Sequence, residues 1–199
     1  MASPVYVDLV RPGNPRLARV FDASLVAGFS LLIALSAQAA IPLPFTPVPV
    51  TLQTFAVILT GCLLGSGRGA LAALAYVAEG TAGLPFFSGG TGGLAHLLGP
   101  TGGYLVGCVA AAFVAGLLVE GGFARRWAGL LLALIAADLA VFLPGVIWLA
   151  AFTGANKAIA LGFLPFVVGD ALKVAVAWGI LTGVRLVVST DRNPKSRTA

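Results

Sequence analysis

The sequence predicts an all-α membrane protein built as a bundle of six transmembrane helices. Three observations predict it. Of 199 residues, 59% are apolar and only 10% charged, against about 25% charged in soluble domains. So few charges cannot cover a water-facing surface. The apolar residues also fall in long blocks, each near the roughly 20 residues that carry a helix across a bilayer. Finally, the blocks lack the short alternating segments of a transmembrane barrel.

The elements follow in order. Residues 1–20 read as a polar arm carrying Arg11, Arg16 and Arg19. They are too polar for a secretory signal, and the apolar block behind them is too long for a cleaved one. The first span is expected from Asp22 to Ile41. Pro42, Pro44, Pro47 and Pro49 follow, and proline at this density cannot continue a helix. This segment should be extended yet stays apolar, which suits a lid or a cavity wall. The second and third spans are expected at Thr51–Leu64 and Gly69–Leu84, joined by a turn with Arg68. A glycine-rich stretch covers 85–103. The fourth span, Tyr104–Val119, ends at a turn with Arg125 and Arg126. The fifth, Ala128–Phe152, contains Pro144, a candidate kink, and a connection leads to the sixth, Pro165–Val188. Residues 21–188 thus form one transmembrane domain, followed by a basic tail of residues 189–199.

Charge orients the bundle. Lys and Arg favour short cytoplasmic loops. With both termini in the cytoplasm, the arm, Arg68, Arg125, Arg126, Arg185 and the tail fall inside, and only Lys157 lies outside. The net charge of +5 is therefore read as membrane orientation. Dispersed cations form no patch for nucleic acid. The three outer loops are the irregular ones, and irregular backbone at membrane depth is tolerated where it lines a cavity. A ligand cavity open to the outside is expected.

Asp170 and Lys173 carry the strongest local signal. Three residues apart, they share a helical face. Each costs about 2.5–3.5 kcal/mol near the centre of a membrane helix. Such residues point inward and mark substrate or ion paths; the competing reading is an ion pair that orders the bundle. Glu79 lies at similar depth and is a candidate for the same site. Asp138, near the middle of the fifth span, reads as a proton relay or as a carboxyl held between helices. Asp22 is expected near Arg19, in a structural role. His96, the single histidine, reads as a hydrogen-bonded loop residue. Cys62 and Cys108 show no metal-ligand spacing, and neither a metal nor a cofactor is expected. Ala23 and Ala27 form a small-xxx-small pair of the kind that lets membrane helices approach closely. No nucleophile motif stands beside the lone histidine, which argues against an enzyme, and the chain lacks an ATP-binding motif.

Three segments together resemble the BioY family, the biotin-specific S components of energy-coupling-factor (ECF) transporters. They are PLPFTPVPVTLQTFAVILTG at 42–61, GLPFFSGGTGGLAHLLGPTGGYLVG at 83–107 and LPFVVGDALKVAVA at 164–177. The resemblance implies the six-helix ECF S-component fold in a bacterial inner membrane. It implies high-affinity biotin capture from outside, in a cavity walled by the loops after the first, third and fifth spans. It implies that Asp170 and Lys173 contact biotin. Ser88 and Tyr104, within the second segment, join Glu79 as further candidates for substrate binding. Glu79 departs from the family pattern, which usually has an apolar or small residue there. The implied partners are a membrane coupling protein (the T component), packed against Ala23 and Ala27, and a pair of cytoplasmic ATPases. A homo-oligomer is compatible with the sequence. The rival reading is a stand-alone, ion-coupled vitamin carrier using Asp138 or Glu79.

Overall fold

The computed structural model describes residues 5–191, with side chains through Arg185. The tail cations Arg192, Lys195 and Arg197 lie outside the described residues. Among the described residues, eight α-helices follow one another: α1 (Pro15–Gln38), α2 (Gln53–Leu64), α3 (Ser66–Thr81), α4 (Leu94–Leu97), α5 (Gly102–Glu120), α6 (Trp127–Thr153), α7 (Ala155–Gly162) and α8 (Val167–Asp191). Among the described residues, four are long and apolar enough to cross a membrane: α1, α5, α6 and α8. At 1.5 Å per residue, α2 with 12 residues and α3 with 16 are shorter than the bilayer core.

The first helix starts seven residues earlier than its hydropathy suggests. Asn14 caps it, its Oδ1 accepting from Arg16 N at 2.9 Å, and Pro15 takes the first helical position. The added turns run alongside an ionic network. Arg68 donates to Asp8 at 2.5 Å and to Asp22 at 3.1 Å, and Arg11 pairs with Asp22 at 2.5 Å. Asp22 therefore answers Arg11 and Arg68, not Arg19. Val5, 2% exposed, inserts among the helices at this end of the bundle.

The proline segment is non-helical, as expected, but it turns at Pro44–Phe45 instead of running extended, and its ends are pinned. Strand β1 (Ala40–Ile41) pairs antiparallel with β2 (Val50–Thr51). The flap between them is tied to α7 by Thr46, whose hydroxyl donates to the Leu161 carbonyl at 2.8 Å. The glycine-rich stretch holds the short α4, and the connection before the last span holds α7; neither helix is legible in the hydropathy.

Close helix contacts rest on glycine. A Cβ on Gly103 would meet the Trp148 Cβ at 2.3 Å, and one on Gly107 the Val141 carbonyl at 2.5 Å. These two residues form a small-xxx-small face that lets α5 lie directly on α6 around Pro144. At the α2–α3 corner, Gly65 adopts φ +88°, a backbone region costly for other residues. There Glu120, at the end of α5, accepts from Ser66 N and Ser66 Oγ, both at 2.8 Å, and so caps α3 from another helix.

Overpacking the α5–α6 contact should be costly. Gly107→Val is expected to destabilise the purified chain by about 1–3 kcal/mol, read as a lower thermal midpoint in detergent. Gly28→Ala, where a Cβ meets nothing within 4 Å, should not lower it. Equal midpoints for both variants would show that α5 and α6 do not depend on this contact.

Candidate functional site

Asp170 lies in the first turn of α8, and the helix dipole there favours a carboxylate. Its side chain is 4% exposed and that of Lys173 is 14% exposed, with Nζ 2.6 Å from Oδ1. The third member is Thr54, in the first turn of α2. Its hydroxyl donates to Asp170 Oδ1 at 3.2 Å and accepts from Lys173 Nζ at 3.1 Å. This ionic triangle joins α2 to α8 and neutralises two charges that the apolar interior would otherwise reject.

The triangle faces a cavity with about 590 Å³ of space between its walls, open water at the mouth included. Phe87, Tyr104, Phe142 and Phe166 supply aromatic walls, and Gln53, Thr54, Asp170 and Lys173 supply polar groups at one side. Pro49, Ser88, His96 and Thr101 form a neck shared with a wider vestibule beneath the proline flap.

Sequence-predicted residues separate clearly here. Asp170, Lys173, Ser88 and Tyr104 all line the cavity. Tyr104 does so as a wall: its ring packs on Gly145 and its hydroxyl donates to the Gly162 carbonyl at 2.8 Å. Glu79 is not brought to the cavity. Its carboxylate accepts from the Ser30 hydroxyl between α1 and α3, because its position on α3 turns it toward α1. Asp138 lies in a separate, otherwise apolar cleft between α6 and α8, with Phe142 as the wall between that cleft and the cavity. Ala23 and Ala27 are exposed and line an open groove between α1 and α3.

Three polar residues escape a reading of composition and spacing. Gln53 and Thr54 sit inside an apolar block, where the TLQT run is the available signal. Gln38, at the end of α1, holds the glycine-rich loop: its Nε2 meets the carbonyls of Phe86 at 3.1 Å and Phe87 at 3.2 Å, and its Oε1 accepts from Gly90 N at 2.9 Å. His96 is the hydrogen-bonded loop residue expected of it and also part of the neck. Its ring stacks on Phe87 at 5.0 Å and lies between the hydroxyls of Thr91 and Thr101.

A roofed, partly aromatic cavity with an ion pair on its wall, in a multi-pass helical membrane protein, defines a small-molecule binding membrane protein. The chain belongs to the BioY family: the sequence model of that family matches residues 12–190. It is 46% identical over 156 residues to a probable biotin transporter BioY of Pyrococcus horikoshii, covering 78% of this chain and 91% of that one. It is 43% identical over 150 residues to the biotin transporter BioY of Thermotoga maritima, covering 75% and 86%. Its fold matches the crystal structure of the S-component for biotin from an ECF-type ABC transporter, with TM-score 0.75, 29% identity, and coverage of 84% of this chain and 92% of that one.

Burial holds the His96 imidazole below its usual range. The unfolded chain takes up that proton near pH 6.5, and the folded chain resists it. The stability His96 confers is thus complete above about pH 6.5 and lost as the pH falls through the lower folded value. The thermal midpoint should fall between about pH 7.5 and about pH 5.5, and His96→Gln should flatten that fall. Identical slopes in both proteins would place its origin elsewhere.

Proposed function

We propose that this chain captures biotin from outside the cell and takes it across the bacterial inner membrane as the substrate-binding subunit of an ECF transporter. One observation carries the reading: the Asp170–Lys173–Thr54 triangle opens onto a roofed cavity with aromatic walls. Biotin combines an apolar tail, a carboxylate and a ureido ring with two N–H donors and one carbonyl. Asp170 accepts from a ureido N–H. Lys173 donates to the carbonyl oxygen or to the carboxylate. Phe87, Phe142, Phe166 and Tyr104 cover the apolar parts, with Ser88 at the neck. The names of the relatives support biotin as the ligand.

The topology proposed with this function has six spans, α1, α2, α3, α5, α6 and α8, with both termini cytoplasmic. The placement of cations in the sequence supports it. The short α2 and α3 then span with the help of local thinning or of flanking residues. The proposed partners are a membrane coupling protein and a cytoplasmic ATPase pair. Exposed Ala23 and Ala27, beside an open groove between α1 and α3, suit close docking of a helix from the coupling protein. The role is one of binding and transport, not catalysis.

Equilibrium binding of labelled biotin to the purified chain tests the ligand. Asp170→Ala and Lys173→Ala should each weaken binding at least tenfold, about 1.4 kcal/mol. Unchanged affinity in both would remove the triangle from the site. Uptake by cells tests the coupling. Transport should require the coupling protein and ATPases and should survive a protonophore when ATP is maintained. Uptake by the chain alone that the protonophore abolishes, and that Asp138→Asn also abolishes, would instead establish an ion-coupled carrier.

A further inference from the structure

Gln53 has an unusual hydrogen-bonding position. It is 9% exposed and lines the cavity beside Thr54, Asp170 and Lys173. A carboxamide offers two donors and an acceptor with two lone pairs. Here its side chain makes one contact with the protein, from Nε2 to the Cys108 thiol at 3.2 Å, and among the described residues no donor meets Oε1. A thiol is a weak hydrogen-bond partner. A buried amide so poorly satisfied calls for a further partner, and the cavity is where one can arrive.

We propose that Gln53 is a specificity-determining residue for the amide-like head of the ligand, and that Cys108 is its placeholder partner in the empty site. This rests on biotin being the ligand. A carboxamide edge presents N–H and C=O side by side, as does one edge of a ureido ring. Two antiparallel hydrogen bonds join such edges, leaving the second ureido N–H for Asp170. The Cys108 thiol suits the empty state because it is the right size to fill the wall and too weak an acceptor to keep Gln53. A hydroxyl in its place would compete with the ligand for the amide.

The consequence depends on Gln53. A hydroxyl buried in an apolar wall costs desolvation by itself, so packing alone also makes Cys108→Ser harsher than Cys108→Ala. A placeholder role ties that penalty to the Gln53 amide, so it disappears in Gln53→Leu. The test is equilibrium binding of biotin to the purified full chain, with thermal unfolding confirming that each variant is folded and Cys108→Val replacing any that is not. The expected result is that Cys108→Ser binds biotin at least fivefold more weakly than Cys108→Ala or Cys108→Val, and that this gap closes to less than twofold in a Gln53→Leu background. Serine binding as well as the apolar variants, or a gap that persists in Gln53→Leu, overturns the placeholder. Gln53→Glu tests the recognition. Glutamate accepts but does not donate, so the variant should shift the affinity ratio at least tenfold from biotin toward iminobiotin, its cyclic guanidine analogue. An unchanged ratio overturns the assignment of Gln53. Failure of the wild-type chain to bind biotin would be a different result, ending the functional reading itself.

Discussion

A lysine and an aspartate one helical turn apart inside an apolar bundle impose the first constraint. Each is costly in lipid when alone. Paired, they still have lone pairs and protons to satisfy, and a buried pair needs further hydrogen bonds to offset desolvation. Thr54 supplies one such group by donating to Asp170 and accepting from Lys173. It can do so because α2 begins against α8. The remaining valences of Lys173 face the cavity. The pair is thus left open to the cavity, rather than closed by another helix.

The loops over the cavity face the same accounting of polar groups. Proline-rich and glycine-rich loop backbone leaves N–H and C=O groups without helical partners, and these must be met. The structure meets them in three ways. The β1–β2 pair closes the base of the proline flap, and Thr46 fastens its middle to α7. Gln38 spreads one amide over the carbonyls of the glycine-rich loop and the Gly90 N–H. The flap is therefore held by its β1–β2 base and by its own Thr46 on α7, and the glycine-rich loop by Gln38 from α1. A roof fixed at a few points can be released at a few points, which suits a site that must admit a ligand and let it leave.

Much of this was legible in the sequence, and what was not has a common cause. Apolar blocks, proline density and the Asp170–Lys173 spacing are local properties, so the bundle, the flap and the ion pair could be read directly. Gln38, Gln53, Glu120 and the Gly103–Gly107 face take their meaning from partners far along the chain. Gln38 holds Gly90 from 52 residues away, and Glu120 caps Ser66 from 54. No period or spacing reports such pairs. Glu79 failed for a related reason. Its depth matches that of Asp170, but depth does not give direction around a helix, and its side chain turns to Ser30. The start of α1 was misjudged because a cap and an ionic network extended a helix into sequence too polar to look like a span.

The shortness of α2 then explains where the site lies. A helix of 12 residues covers about 18 Å at 1.5 Å per residue, well short of the roughly 30 Å hydrocarbon core. In the proposed topology the chain therefore enters α2 not at the membrane surface but within the bundle, after the proline flap and β2. The first turn of α2 carries Gln53 and Thr54, so two polar residues arrive at the level of Asp170 without interrupting a span. The space a longer helix would have filled is left to the cavity. A two-turn extension of α2 toward the flap would fill that volume and displace β2 from β1. In the proposed six-span topology the candidate site occupies the missing end of a transmembrane helix, roofed by the proline segment.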